Sequence, residues 1–235
     1  MTMRENTTSK LYNLWALFYD YTFGYLVVKR QRRAAEQLSL LAQPGDTILD
    51  VGVGTGMLLQ HYPRDVQIVG VDLSAGMLAK AQEKQHEQNL EHIQLMQADA
   101  MFLPFADQSF DHIIMTHTIS VVSDPNRLLQ LCSRLVKPGG RIVVLNHFQS
   151  THPVLGWFER VTNPIFARIG WNSDTSLQGV LEGGDLEVDY CFKLRMVDLW
   201  KIVVLRHRQP QTANAPEIVT DAPTAEPSQH LSLQS

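Results

Sequence analysis

The chain has 235 residues, 44% hydrophobic and 19% charged, the proportions of a soluble globular protein with room for one full α/β domain plus extensions. Its net charge of −4 argues against general nucleic-acid binding. Cys132 and Cys191 lack a CxxC context and lie in apolar patterns, which argues against a metal site and predicts two buried, reduced thiols in a cytoplasmic protein.

The charge is unevenly spread. Residues 1–40 hold six basic and three acidic side chains (+3), whereas residues 41–130 hold four and eleven (−7). A basic, aromatic N-terminus on an otherwise acidic protein suits contact with an anionic surface such as a membrane. After the polar residues 1–9, Leu11, Leu14, Trp15, Phe18 and Tyr21 form a helical stripe, and the opposite side (Tyr12, Ala16, Tyr19, Phe23) is also largely apolar. Such a helix needs burial, in protein or partly in lipid. The run between Lys10 and Lys29 has one charge, Asp20, near its middle. A charge there costs roughly 2.5–3.5 kcal/mol on insertion scales, so a membrane span is not expected. Gly24 ends this helix, a second follows over about 26–42, and Pro44–Gly45 close it.

From there strand and helix patterns alternate. Strands are expected at about 47–51, 67–71, 92–96, 110–116 and 141–147, and helices at about 56–62, 75–88 and 125–136. Ser74 is the N-cap of the second of these helices, and Ser123 or Asp124 caps the third ahead of Pro125. Residues 137–140, Lys-Pro-Gly-Gly, form a tight turn. Alternating βα units imply a parallel sheet with helices on both faces. Residues 148–185, with His152, Trp157, Phe158 and Trp171, are expected to supply a helix and a lid-like connection, and two last strands fall at about 186–193 and 200–206. The Pro/Thr/Ser/Gln-rich tail from Gln209 cannot bury enough apolar surface to order itself. The expected division is a helical lid and membrane-contact segment over 1–42, an α/β domain over 43–208 and a disordered tail over 209–235.

The organising stretch is TILDVGVGTGMLLQHYPRDVQIVGVD, residues 47–72. A buried strand carries Asp50, and Gly52, Gly54 and Gly56 make a turn whose backbone a ligand can approach. A second strand ends in Asp72. The G-x-G-x-G spacing is not the G-x-G-x-x-G that sets a helix N-terminus against a pyrophosphate. Asp50 would repel a pyrophosphate but could bind an ammonium, directly or through water. Asp72 could accept from both ribose hydroxyls, and Asp99–Ala100 could contact an adenine edge. An NAD-dependent oxidoreductase therefore fails on the glycine spacing and on Asp50.

Those properties describe S-adenosylmethionine (SAM), and the sequence resembles a class I SAM-dependent methyltransferase. The motifs are ILDVGVGTG (48–56), VGVDLSAGML (69–78), QADAMFLPFADQSFD (97–111) and LVKPGGRIVVLNHF (135–148). The resemblance implies a Rossmann-like, seven-stranded, mostly parallel sheet with an N-terminal helical lid. It also implies SAM contacts from Asp50, Gly52, Gly54, Gly56, Asp72, Leu73, Met77, Asp99, Ala100 and His117. In that family a tyrosine of the N-terminal helix closes over SAM, a role that would fall to Tyr19.

LDVGVGTG, ISVVSDP (119–125), NHF (146–148) and the Tyr19–Asp20 pair resemble bacterial phospholipid N-methyltransferases of the phosphatidylethanolamine-methylating type. The LPFxDxSFD pattern is shared with quinone and sterol methyltransferases. A substrate amine arrives as an ammonium and must lose a proton before attack, and His147, His117 or Tyr19 could take it. Aromatic faces from Trp15, Phe18, Tyr19 and Trp157 could stabilise the quaternary product. His147 and Tyr19 are the candidate catalytic residues, and no metal is expected. The expected protein is a monomer on the inner face of the cell membrane, taking a phospholipid as substrate. A quinone or small-metabolite methyltransferase, and a membrane-associated SAM-binding protein without turnover, remain open at this point.

Overall fold

Apolar side chains alternate along the central strands, and the two sets they make decide the architecture. The computed structural model describes residues 25–148, 176–194, 198 and 200–208. The expected N-terminal aromatic helix, the lid-like connection over 149–175 and the tail from 209 lie outside the described residues. No helix among the described residues is long and apolar enough to cross a membrane.

In β1 (Thr47–Val51), Leu49 and Val51 face one side, with Ile113, Met115, Ile142 and Val144 from neighbouring strands. Helix α3 (Pro125–Leu135) covers this side with Leu128, Leu129, Cys132 and Leu135. Ile48, Ile68, Ile114, Val143 and Leu145 face the other side. There they meet Ala34, Ala35 and Leu38 of α1 (Tyr25–Leu41) and Leu78 and Ala81 of α2 (Ala75–Glu87). Helix α1 thus belongs to the packed body of the domain.

The sheet has seven strands in the order β3-β2-β1-β4-β5-β7-β6. Besides β1 these are β2 (Gln67–Asp72), β3 (Ile93–Gln97), β4 (Phe110–Thr116), β5 (Val136–His147), β6 (Leu186–Phe192) and β7 (Trp200–His207). The first five pair in parallel, and β7 runs antiparallel to both β5 and β6. The chain reverses its direction of travel across the sheet between β1 and β4. In open α/β sheets a crevice at such a point, outside the carboxyl ends of the strands, receives the ligand.

The caps follow local chemistry. Ser74 accepts from Met77 N–H at 3.2 Å and Asp124, not Ser123, accepts from Arg127 N–H at 3.0 Å. Three expectations are corrected. Residues 56–62 hold only a 3-10 turn at Leu59–His61, closed by bonds three residues apart such as His61 N–H to Leu58 O at 2.8 Å. Gly52, Gly54 and Gly56 are all left-handed, so a helix cannot start before Met57, and Pro63 stops it within two turns. The fifth strand starts at Val136, which pairs with Phe110 before the 137–140 turn loops out and pairing resumes at His112 and Arg141. Cys191 is exposed while Cys132 is buried, because β6 is an edge strand with little packed over it among the described residues. The described part of 148–185 also contains a short helix, α4 (Leu177–Leu181), held to α3 by Asn126, whose amide donates to Val180 O and Glu182 O.

Candidate active site

The turn after β1 is tied to β2 before any ligand enters. Gly52 and Val53 N–H both donate to Val71 O, at 2.8 and 3.0 Å, and the three glycines have φ of +80°, +58° and +75°. Their reasons for being glycine differ. A Cβ at Gly52 would lie 2.5 Å from Thr118 Oγ1, and one at Gly56 would lie 2.8 Å from Leu59 Cδ1 and 3.0 Å from Ala81. Both positions serve close packing. At Gly54 a Cβ would meet nothing nearer than 4.0 Å, so this is the glycine that borders open space.

Two acids flank that space. Asp72 accepts from Gly54 N–H at 2.9 Å through Oδ2 and from Ser74 N–H at 2.8 Å through Oδ1. Each oxygen keeps a second lone pair for a further donor. Burial pushes the Asp72 carboxyl up, opposed by these backbone bonds. Asp50 is fully buried at the end of β1; Tyr62 donates its hydroxyl to Oδ2 at 2.7 Å, and Oδ1 has no hydrogen-bond partner among the described residues. Burial pushes the Asp50 carboxyl up to about 7; the bond from Tyr62 works against that, and the charge of Asp72 adds to it. Asp99, beyond β3, accepts from Met101 N–H at 2.8 Å, which fixes the loop bearing Ala100. Leu73 is partly exposed beside Asp72, whereas Met77 is buried in the first turn of α2.

The ends of β4 and β5 supply a second group. His117 is left-handed (φ +63°), unusual for a residue with a side chain, and donates its N–H to Leu145 O at 2.7 Å. Its Nε2 is buried without a hydrogen-bond partner among the described residues. Burial, then Arg30 and His147, lower its pKa to about 4, so its imidazole is neutral. His147 is buried on the last position of β5, its ring 6.1 Å from that of Trp200, which also lies 6.5 Å from His117. Arg30 of α1 stacks on Trp200 at 4.5 Å and pairs with the buried Asp198 at 3.0 Å. Trp200 thus brings the two sequence-predicted histidines together. Tyr19 lies outside the described residues.

Sequence reasoning missed Tyr62, Thr118, Trp200 and Arg30. Tyr62 reads as an ordinary core aromatic before Pro63, and nothing local ties it to Asp50. Trp200 opens a strand of plain apolar pattern. Arg30 sits in a basic cluster that reads as solvated charge.

A family model described as a methyltransferase domain matches residues 49–144. A phosphatidylethanolamine N-methyltransferase of Cereibacter sphaeroides is 35% identical over 187 residues, covering 79% of this chain and 90% of that protein. The chain belongs to the class I SAM-dependent methyltransferases. A demethylmenaquinone methyltransferase of Alkalihalophilus pseudofirmus is also 35% identical, over 181 residues, 71% of this chain and 76% of that protein. A solved geranyl diphosphate C-methyltransferase of Streptomyces coelicolor, in complex with Mg2+, geranyl diphosphate and S-adenosyl-L-homocysteine, shares the fold. Its TM-score is 0.61 at 18% identity, with 75% of this chain and 78% of that one covered.

The donor set of this methyltransferase fits SAM. A buried carboxylate oxygen with no partner among the described residues suits the ligand's ammonium, a carboxylate held at the end of β2 suits ribose hydroxyls, and the open side of Gly54 lets backbone and ligand meet. SAM supplies an electrophilic methyl group on a sulfonium.

Proposed function

We propose that the protein N-methylates phosphatidylethanolamine, and its mono- and dimethyl forms, at a membrane surface. The observation that carries this reading is end-to-end similarity: the phosphatidylethanolamine N-methyltransferase relative is matched over 90% of its length. The surface supports it. Leu73, Phe102 and Val121, in the loops after β2, β3 and β4, are among the few large apolar side chains left exposed, and all three rim the carboxyl end of the sheet. An apolar rim around a site suits an acceptor presented by a bilayer. The net positive charge of residues 1–40, carried mainly by Lys29, Arg32 and Arg33 in α1, adds attraction to anionic headgroups.

The chain's own residues divide the work. Asp50 and Asp72 hold the cofactor, and the position of His147 at the end of β5 suits it to take the proton a substrate ammonium must lose. His117, held neutral by burial, lines the same wall with its Nε2 unpartnered among the described residues. Trp200 and Arg30 fix the rings of both. Positioning carries much of an in-line displacement, so these supports matter for rate. Quinone methylation is the second reading, favoured by the equal identity to a demethylmenaquinone methyltransferase.

The test is expression in a host that makes no phosphatidylcholine, with labelled methionine and thin-layer chromatography of its lipids. Label in methylated phosphatidylethanolamine supports the reading; label confined to the quinone fraction overturns it. In the purified enzyme on phosphatidylethanolamine vesicles, His147→Asn should lower kcat by about 10²–10⁴, the range of general-base catalysis. It should leave S-adenosylhomocysteine binding nearly unchanged.

A further inference from the structure

We propose that Tyr62 is a positioning residue for the cofactor: its hydroxyl pins one oxygen of Asp50 and favours the ionised carboxylate, so that the other oxygen receives the ligand's ammonium. The inference rests on the family assignment and adds a residue outside the glycine motif and its flanking acids.

The geometry has three parts. Both partners are buried, Asp50 at 1% and Tyr62 at 4% relative exposure, so neither draws on water. Their bond is short, 2.7 Å from the phenolic oxygen to Oδ2, with the hydroxyl as donor. Asp50 Oδ1, on the same carboxylate, is buried and has no hydrogen-bond partner among the described residues. An unmatched buried acceptor costs about 1–3 kcal/mol, a penalty removed when a ligand donates to it. A carboxylate fixed at one oxygen also loses its side-chain rotation in advance, so the ammonium meets an oriented acceptor.

Local structure explains how Tyr62 gets there. The three left-handed glycines replace the first turns of a helix with a compact loop, and the 3-10 turn Leu59–His61 then swings Tyr62 back under β1. Pro63 follows at once and fixes the exit. In a regular helix from Gly56, residue 62 would not be held there by this turn. The loop that makes room for the ligand therefore also delivers the phenol to Asp50.

The charge balance sets the experiment. The groups that act on Asp50 are the phenol of Tyr62 and the carboxylate of Asp72. Donation from Tyr62 favours the ionised form, while burial and Asp72 oppose it. Binding needs Asp50 ionised and the ligand's α-amino group protonated, so affinity should rise with pH as Asp50 ionises and fall only at the higher pH where that amine loses its proton.

The probe is S-adenosylhomocysteine, which has the same α-ammonium, with Kd measured by calorimetry on the full chain from pH 5.5 to 9. In the wild type the acid limb should turn near pH 7. Tyr62→Phe should move that limb to higher pH and weaken Kd about tenfold at pH 6.5, with the alkaline limb unmoved. 3-Fluorotyrosine at position 62, a more acidic phenol of nearly the same shape, should move it the other way. Asp50→Asn should weaken binding and abolish the shift between phenol and fluorophenol. Should Tyr62→Phe fail to fold, the fluorotyrosine comparison alone decides. An acid limb that is unchanged by the phenol substitutions, or moved in the same direction by both, overturns the proposal. A wild type that does not bind S-adenosylhomocysteine at any pH overturns the cofactor assignment beneath it.

Discussion

Gly52→Ala tests whether the glycine turn is shaped by its own packing before a ligand arrives. Gly52 has φ +80°, and a left-handed residue with a Cβ costs roughly 1–2 kcal/mol. The new methyl would also lie 2.5 Å from Thr118 Oγ1, which donates to Val51 O at 2.7 Å. Moving Thr118 aside gives up that buried bond, a further 0.5–1.5 kcal/mol or so. The sum is about 2.5 kcal/mol, which in a domain of this size lowers Tm by roughly 5–10 °C. The assay is urea unfolding of the ligand-free protein, in which a shifted midpoint at constant slope reports a change in stability. A double-mutant cycle separates the two causes. Thr118→Ala alone loses the hydrogen bond, and in its background Gly52→Ala retains only the backbone penalty. The two substitutions should therefore be less than additive by about 1 kcal/mol. Strict additivity, or a single-variant cost under about 0.5 kcal/mol, within the range of ordinary surface changes, would refute the reasoning.

Arg30→Met should destabilise the fold by about 3 kcal/mol in urea, because it leaves the buried carboxylate of Asp198 without its ion-pair partner. Adding Asp198→Leu should recover most of that loss, since an apolar pair of similar volume replaces both charges. Asp50→Asn should change the pH dependence of the ligand-free protein. The folded-state pKa of Asp50, about 7, lies above its ordinary 3.8, so this group stabilises the fold fully only below 3.8 and that contribution is lost as pH rises through 7. Relative to the wild type, the variant should gain roughly 4 kcal/mol of unfolding free energy between pH 4 and pH 8, and a constant difference across that range would contradict it.

Most of the frame was legible in the sequence because its signals are local. The near-continuous apolar runs of β1, β2 and β4 and the caps at Ser74 and Asp124 act over a few residues, and the strands fall within a residue or two of expectation except at the start of β5. The helix expected at 56–62 fails because three left-handed glycines at alternate positions, with Pro63 after them, outweigh the apolar pattern of Met57, Leu58 and Leu59. At Cys191 the apolar pattern was real, but the strand it belongs to is an edge, a fact of strand order rather than of composition. The site divides in the same way. Asp50, Gly54 and Asp72 stand inside one contiguous motif and can be read together. His117 and His147 lie thirty residues apart and become neighbours only because β4 pairs with β5. The bond between Tyr62 and Asp50 depends on the fold of the intervening loop, which no periodicity encodes.

These features share a thermodynamic character. His117 is held in a left-handed conformation, its Nε2 is buried without a partner among the described residues, and Asp50 carries an unmatched oxygen where burial opposes its charge. A non-glycine residue in that conformation costs about 1–3 kcal/mol, and each buried unmatched polar atom costs a similar amount. Both residues lie near the ends of β1 and β4, where a ligand would supply the missing hydrogen-bond partners. A ligand at a hundred times its Kd stabilises the native state by about 2.7 kcal/mol, the same order as one of these penalties. Before a ligand binds, the site is therefore expected to be a locally weak part of an otherwise well-packed sheet. Helix α1 limits that weakness, because Arg30 fixes Trp200 against both histidines and Gln31 reaches Thr116 at the end of β4. Loosening α1 should consequently weaken cofactor affinity even though none of its described residues belongs to the glycine motif.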